Sequence, residues 1–152
     1  MDKLDNLLDG LTEEELLMLR DRITDKYYKP KKPPVRLEIP YKFPSLNEYT
    51  NACRKNAFAG ANMKKTVQRD IGYFINTLPS FKSPVTIDFT WIEGNRRRDP
   101  DNISFAKKFI LDSLVECGKL KDDNRKVVTA FKDKIYWTTE NEWKVILEIY
   151  EV

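Results

Sequence analysis

Apolar and polar residues alternate strictly along Val35-Arg36-Leu37-Glu38-Ile39, and that two-residue period predicts a strand with one buried face, ended by Pro40. Val85-Thr86-Ile87-Asp88-Phe89-Thr90-Trp91 alternates in the same way. Two further strands are expected over about 126 to 137 and 143 to 151, joined as a hairpin through Thr138-Thr139-Glu140-Asn141-Glu142. Elsewhere the period lengthens to that of a helix. Leu16, Leu19, Ile23 and Tyr27 predict a helix over about 13 to 27, opened by Thr12-Glu13-Glu14-Glu15, in which the first and last side chains each satisfy a free backbone donor. Val67, Ile71, Phe74 and Leu78 predict a second helix from about Asn62, stopped by Pro79. Ile103, Ala106, Phe109, Ile110 and Leu114 predict a third, from about Asn102 to Cys117, with Gly118 at its exit. Residues 41 to 60 read as irregular.

The order of these elements predicts an α+β or mixed α/β domain with a small sheet. In Lys29-Pro30-Lys31-Lys32-Pro33-Pro34 the prolines lack backbone donors and fix φ, so the segment reads as an extended linker. Residues 1 to 34 are therefore an appendage of one helix and a linker, and 35 to 152 form the domain.

Composition narrows the chemistry. A chain of 152 residues suits one domain. No apolar run approaches the roughly 18 residues of a membrane span, and the acidic start MDKLDNLLDG is unlike a signal peptide, so a cytoplasmic protein is expected. With no histidine, serine and cysteine triads that use one are excluded, as are nearly all zinc sites. Cys53 and Cys117 read as ordinary reduced thiols. The net charge of +3 conceals an uneven distribution: residues 28 to 70 carry 10 bases against 3 acids and residues 94 to 126 carry 9 against 6, whereas residues 1 to 27 carry 4 against 8. Two basic regions between acidic ones suggest a face that binds a polyanion.

The densest chemistry lies in Arg96-Arg97-Arg98-Asp99-Pro100-Asp101-Asn102. Proline holds the residue before it extended, and Asp101 is expected at the N-cap of the third helix, so both carboxylates should face one side. Two such oxygens suit a hard divalent cation that keeps some of its waters. The arginines beside them fit a phosphate chain lying across that cation. Positions 101, 105, 108 and 112 fall on one helical stripe, which brings Lys108 and Asp112 to the face of Asp101, with Lys107 turned about 100° away. Asp122-Asp123 precedes a strand; if that strand lies beside the one ending near Glu93, a third carboxylate would join the first two. Each feature also has a plainer reading, as helix caps, exposed ion pairs and solvated turns.

Taken with Lys108-Phe109-Ile110-Leu111-Asp112, Gly118, Asp122-Asp123-Asn124 and the upstream Pro44-Ser45-Leu46-Asn47-Glu48-Tyr49, this loop resembles the signature of the RusA-like Holliday junction resolvases over residues 35 to 152. The resemblance implies a homodimer with a small mixed sheet flanked by helices, and a metal-dependent endonuclease that cuts four-way DNA junctions. It implies Asp99, Asp101 and Asp123 as catalytic metal ligands for Mg²⁺, with Mn²⁺ as a substitute, and Lys108 as the catalytic lysine. The interval from Asp101 to Lys108 is about three residues longer than in the best-known member of that family, and the N-terminal helix is additional. Arg96, Arg97, Arg98, Lys64, Lys65 and Lys107 are the expected DNA contacts. No membrane partner or small-molecule cofactor is expected. Two other classes remain: a non-catalytic DNA-binding recombination accessory protein, and an interaction module that docks a partner through Leu16, Leu19 and Ile23.

Overall fold

The computed structural model describes residues 9–28 and 32–152. The linker expected at Lys29, Pro30 and Lys31 lies outside the described residues. Helix α1 spans Glu13–Tyr28. Its start is the expected reciprocal cap: Glu15 N–H donates to Thr12 Oγ at 3.2 Å, and Thr12 N–H donates to Glu15 Oε2 at 2.8 Å. These donors hold the Glu15 carboxyl below its ordinary range. Leu16, Leu19 and Ile23 remain exposed.

Strand β1 is Val35–Ile39. The irregular stretch expected after it is instead two helices, α2 at Leu46–Lys55 and α3 at Ala57–Ile75. Ser45 Oγ accepts from Glu48 N–H to cap α2, and Asn56 Oδ1 accepts from Phe58 and Ala59 N–H to cap α3. Helix α2 buries none of its residues completely, yet Leu46, Tyr49 and Cys53 recur along it at helical spacing, a short stripe that the irregular reading of 41 to 60 passed over. Helix α3 starts earlier than its apolar spacing suggests and ends at Ile75; Val67, Ile71 and Ile75 face the core, and Leu78 is buried beyond its end.

Strand β2, Val85–Glu93, alternates between buried and half-buried positions along its whole length. The single helix expected after it is broken into α4, Pro100–Ser104, and α5, Lys107–Glu116. At the break, Ala106 N–H donates to Ile103 O and Lys108 N–H to Phe105 O, the tighter three-residue turn. The break falls inside the lengthened interval between Asp101 and Lys108. Gly118, at φ 71°, ends α5 as expected: Lys119 N–H folds back to Leu114 O at 2.8 Å, a closure that needs left-handed backbone.

Strands β3, Val128–Trp137, and β4, Lys144–Glu151, do not form the expected hairpin. The sheet order is β1-β4-β2-β3, with β2 between them, parallel to β3 and antiparallel to β4. The difference has a physical cause. Val145, Leu147 and Ile149 of β4 are fully buried on the helix-covered face, and the strand pairs on both edges, with β1 and with β2. In β3 only Val128 is buried, and a strand that leaves nearly all its residues exposed or half-exposed lies at the edge of the sheet. The result is a small α+β fold with a four-stranded mixed sheet. One sheet face, including Ile39, Ile87, Phe89 and Leu147, packs on α3 and α5 through Ile71, Ile75, Phe109 and Leu114.

Two polar contacts tie the core's rim together and titrate at alkaline pH. Tyr41 Oη donates to Asp70 Oδ2 at 2.9 Å, and burial together with that carboxylate pushes the phenol up to about 12. The Asp112 carboxylate likewise raises Lys64. Both groups hold their protons more tightly when folded, so their stabilisation is complete below the unfolded values near 10 and is lost as pH rises through the folded ones. Urea midpoints are therefore expected to fall between pH 9.5 and about 12, and Tyr41→Phe should shrink that fall, while Lys64, Tyr49 and Tyr150, which are also raised, supply what remains. An unchanged slope in Tyr41→Phe would refute the assignment.

Candidate metal and nucleic-acid site

The loop leaving β2 is held by a buried clamp. Arg98 donates through Nε and Nη2 to the two carboxylate oxygens of Glu93, at 2.7 and 2.8 Å, and through Nη1 to the Phe43 carbonyl at 2.7 Å. The two side chains are 15% and 7% exposed, so this ion pair is largely withdrawn from water. Gly94 follows Glu93 because nothing larger fits: a Cβ there would lie 2.6 Å from the Trp143 ring. Trp143 in turn lies under Lys42, at 4.1 Å, and Arg98, at 5.4 Å.

That clamp turns the chain so that Asp99 and Asp101 project from the start of α4. Asp99 is extended as expected, at φ −74° and ψ 156°, but it, not Asp101, is the N-cap; Asp101 lies within the first turn, behind Pro100. Both residues are exposed. Among the described residues, neither carboxylate takes part in a hydrogen bond or ion pair, although three arginines precede them. Asn102 Oδ1 accepts from Asn47 N–H at 3.0 Å, and Tyr49 packs on Phe105 and Phe109 at 5.3 and 5.6 Å. Thus Phe43 to Tyr49, from the far end of the domain sequence, braces the acidic loop.

The remaining acidic and basic candidates separate from that loop. Lys64 Nζ lies 2.9 Å from Asp112 Oδ2 and Lys108 Nζ 3.9 Å from the same atom. Asp123 lines a cavity of about 270 Å³ with Lys64, Gln68, Asp112 and Glu116. The neighbouring Asp122 accepts the Asp123 backbone N–H at 2.7 Å, which holds its own carboxyl below the ordinary range. The strand after Asp123 does lie beside β2, as the third-carboxylate argument requires, but in parallel: Val128 pairs with Val85 and Trp137 with Glu93. Asp123 thus precedes the strand end opposite the one that leads to Asp99, across a nine-residue strand of about 30 Å. Among the described residues, no three carboxylates converge to hold an ion. Within one chain that strand direction sets Asp123 and Asp99 toward opposite ends of β2.

Of the expected DNA contacts, Arg96, Arg97 and Lys65 are exposed, with the Arg96 guanidinium 5.2 Å from the Trp137 ring centre. Arg98 is the buried clamp instead. Lys107 is drawn into an ion pair with Asp133, whose other oxygen accepts the Trp91 indole N–H at 2.9 Å. Lys64 is engaged by Asp112. The sequence reading missed Glu93 and Trp143. Glu93 carried a signal, an acid at a buried position of an alternating strand, which requires a cationic partner. Asp101 is in helical backbone, so the extended geometry expected to set both carboxylates on one side holds for Asp99 alone; each remains an exposed oxygen donor without a partner among the described residues, the donor type a hard cation takes. Compared with known proteins, the chain matches no family model and no curated protein. No helix among the described residues is long and apolar enough to cross a membrane.

Proposed function

We propose that this protein is a magnesium-dependent, structure-selective endodeoxyribonuclease that cuts four-way DNA junctions as a homodimer. The observation that carries the reading is the pair of carboxylates, Asp99 and Asp101, left without protein partners while the adjacent Arg98 is turned inward onto Glu93. Its second support is the resemblance of the Arg96 to Asn102, Lys108 to Asp112 and Asp122 to Asn124 segments to RusA-like resolvases.

In this reading Asp99 and Asp101 hold the cation, and Asp123 reaches it from the second copy. Two sites related by a twofold axis suit a four-armed substrate that requires two opposed cuts. A bound Mg²⁺, or Mn²⁺ in its place, supplies an activated water and neutralises the phosphodiester. Lys108, its side chain 56% exposed in the first turn of α5, offsets charge developing on the phosphate oxygens. Arg96, Arg97 and Lys65 hold flanking backbone, an affinity that falls as salt rises.

The test is a synthetic four-way junction incubated in Mg²⁺ and in EDTA. Paired nicks are expected in Mg²⁺ alone, with binding retained in EDTA and Asp99→Asn binding without cutting. A junction bound but uncut in both Mg²⁺ and Mn²⁺ would establish the accessory-protein reading instead.

A further inference from the structure

We propose that Trp137 is a stacking platform for an unpaired base beside the acidic loop, so that the protein engages branched DNA through its unpaired nucleotides as well as its phosphates. This inference rests on the nucleic-acid reading above and names the part of the substrate that selects it.

The chain has three tryptophans, and two have structural duties. Trp91 is buried and donates its indole N–H to Asp133; Trp143 packs over Gly94 and donates to Asn141. Trp137 differs. It is 50% exposed, and among the described residues its indole N–H has no acceptor. It ends β3 opposite Glu93, and the next residue, Thr138, donates its N–H to the Glu93 carbonyl at 2.9 Å. The ring is therefore fixed at the root of the loop that carries Asp99. Arg96 lies over it at 5.2 Å, and three residues of chain, at most about 11 Å, separate Arg96 from Asp99.

An exposed, anchored indole is a surface that some flat partner must cover, and the charges around it select which. Arg96 and Arg97 are both exposed there, and the nearest buried acid, Glu93, is already neutralised by Arg98. The Arg96 cation resting on the indole, with the exposed Arg97 beside it, favours a partner that combines a π face with a polyanionic backbone. Single-stranded nucleic acid has both, and base stacking on an aromatic ring tolerates any sequence. A closed duplex hides its base faces, whereas a junction centre or a frayed arm exposes them.

The test uses the full chain in EDTA, so that no cutting intervenes, titrated with oligothymidylate and with a closed duplex while tryptophan fluorescence is followed. Oligothymidylate should quench the wild type. Trp137→Ala should weaken oligothymidylate binding roughly tenfold or more while changing duplex affinity less than about twofold, and Trp137→Phe should retain most of the affinity but lose the quench. Equal weakening toward both DNAs would overturn the proposal, as would unchanged affinity for oligothymidylate. So would sedimentation showing that Trp137→Ala dissociates a dimer, since the ring would then belong to the contact between copies. The outcome is separable from the nuclease reading: Asp99→Asn should leave the quench intact, and a protein that cuts no junction can still lose single-strand affinity with Trp137.

Discussion

Mixing Asp99→Asn protein with Asp123→Asn protein is expected to restore junction nicking that neither variant shows alone. Each loss removes a carboxylate from the proposed cation site, and several kcal/mol of lost transition-state stabilisation is roughly a thousandfold or more in rate. Within a chain the two residues lie toward opposite ends of β2, since β3 runs parallel to it and Asp123 precedes β3. If Asp123 of one copy serves Asp99 and Asp101 of the other, a mixed dimer has one site with both substitutions and one with neither. Random exchange makes about half of the dimers mixed, so about a quarter of all sites are intact. Those sites would nick one strand without making the paired second cut. Two inactive variants that stay inactive when mixed would mean that the trio assembles within a chain. An active Asp123→Asn would leave Asp99 and Asp101 as the only protein ligands.

The elements legible in the sequence were those with a clear period or a reciprocal cap. β1, β2 and α1 followed from period or capping within a residue or two, because half-burial writes itself into alternation and Thr12 and Glu15 have few other uses. Helix α2 carried two signals that went unread: Leu46, Tyr49 and Cys53 at helical spacing, and Ser45 with Glu48, the same capping pattern recognised at Thr12 and Glu15. Pairing was the harder matter. A strand's period says which face is buried but not which strand lies beside it, and the order that sets β4 between β1 and β2 follows from burial on both flanks. The same limit governed the site. Local rules placed Asp99 in extended backbone before Pro100, and they failed for Asp123, whose distance from Asp99 depends on strand direction. Among the arginines, spacing made three equal cations of Arg96, Arg97 and Arg98. Only the buried carboxylate of Glu93 distinguishes the third.

That distinction predicts opposite behaviour for adjacent residues. Arg98→Ala leaves the Glu93 carboxylate, 7% exposed, without its cation and strips the Phe43 carbonyl of its donor. Breaking one side of a buried pair costs about 3 to 5 kcal/mol, which for a domain of this size lowers the melting temperature on the order of 10 °C. Arg98→Lys should recover only part of this, because an ammonium cannot span both carboxylate oxygens and reach Phe43 at once. Arg97→Ala, at an exposed position, should change stability by less than about 0.5 kcal/mol and instead flatten the salt dependence of DNA binding by about one phosphate contact. The decisive variant is the double one. If the clamp is a local ion pair, Glu93→Leu combined with Arg98→Met removes both charges and should regain most of the stability lost by Arg98→Ala, with DNA affinity near that of wild type. An Arg98→Ala protein that melts like the wild type but loses DNA affinity would return Arg98 to the DNA-contacting surface and leave Glu93 to be neutralised by other means.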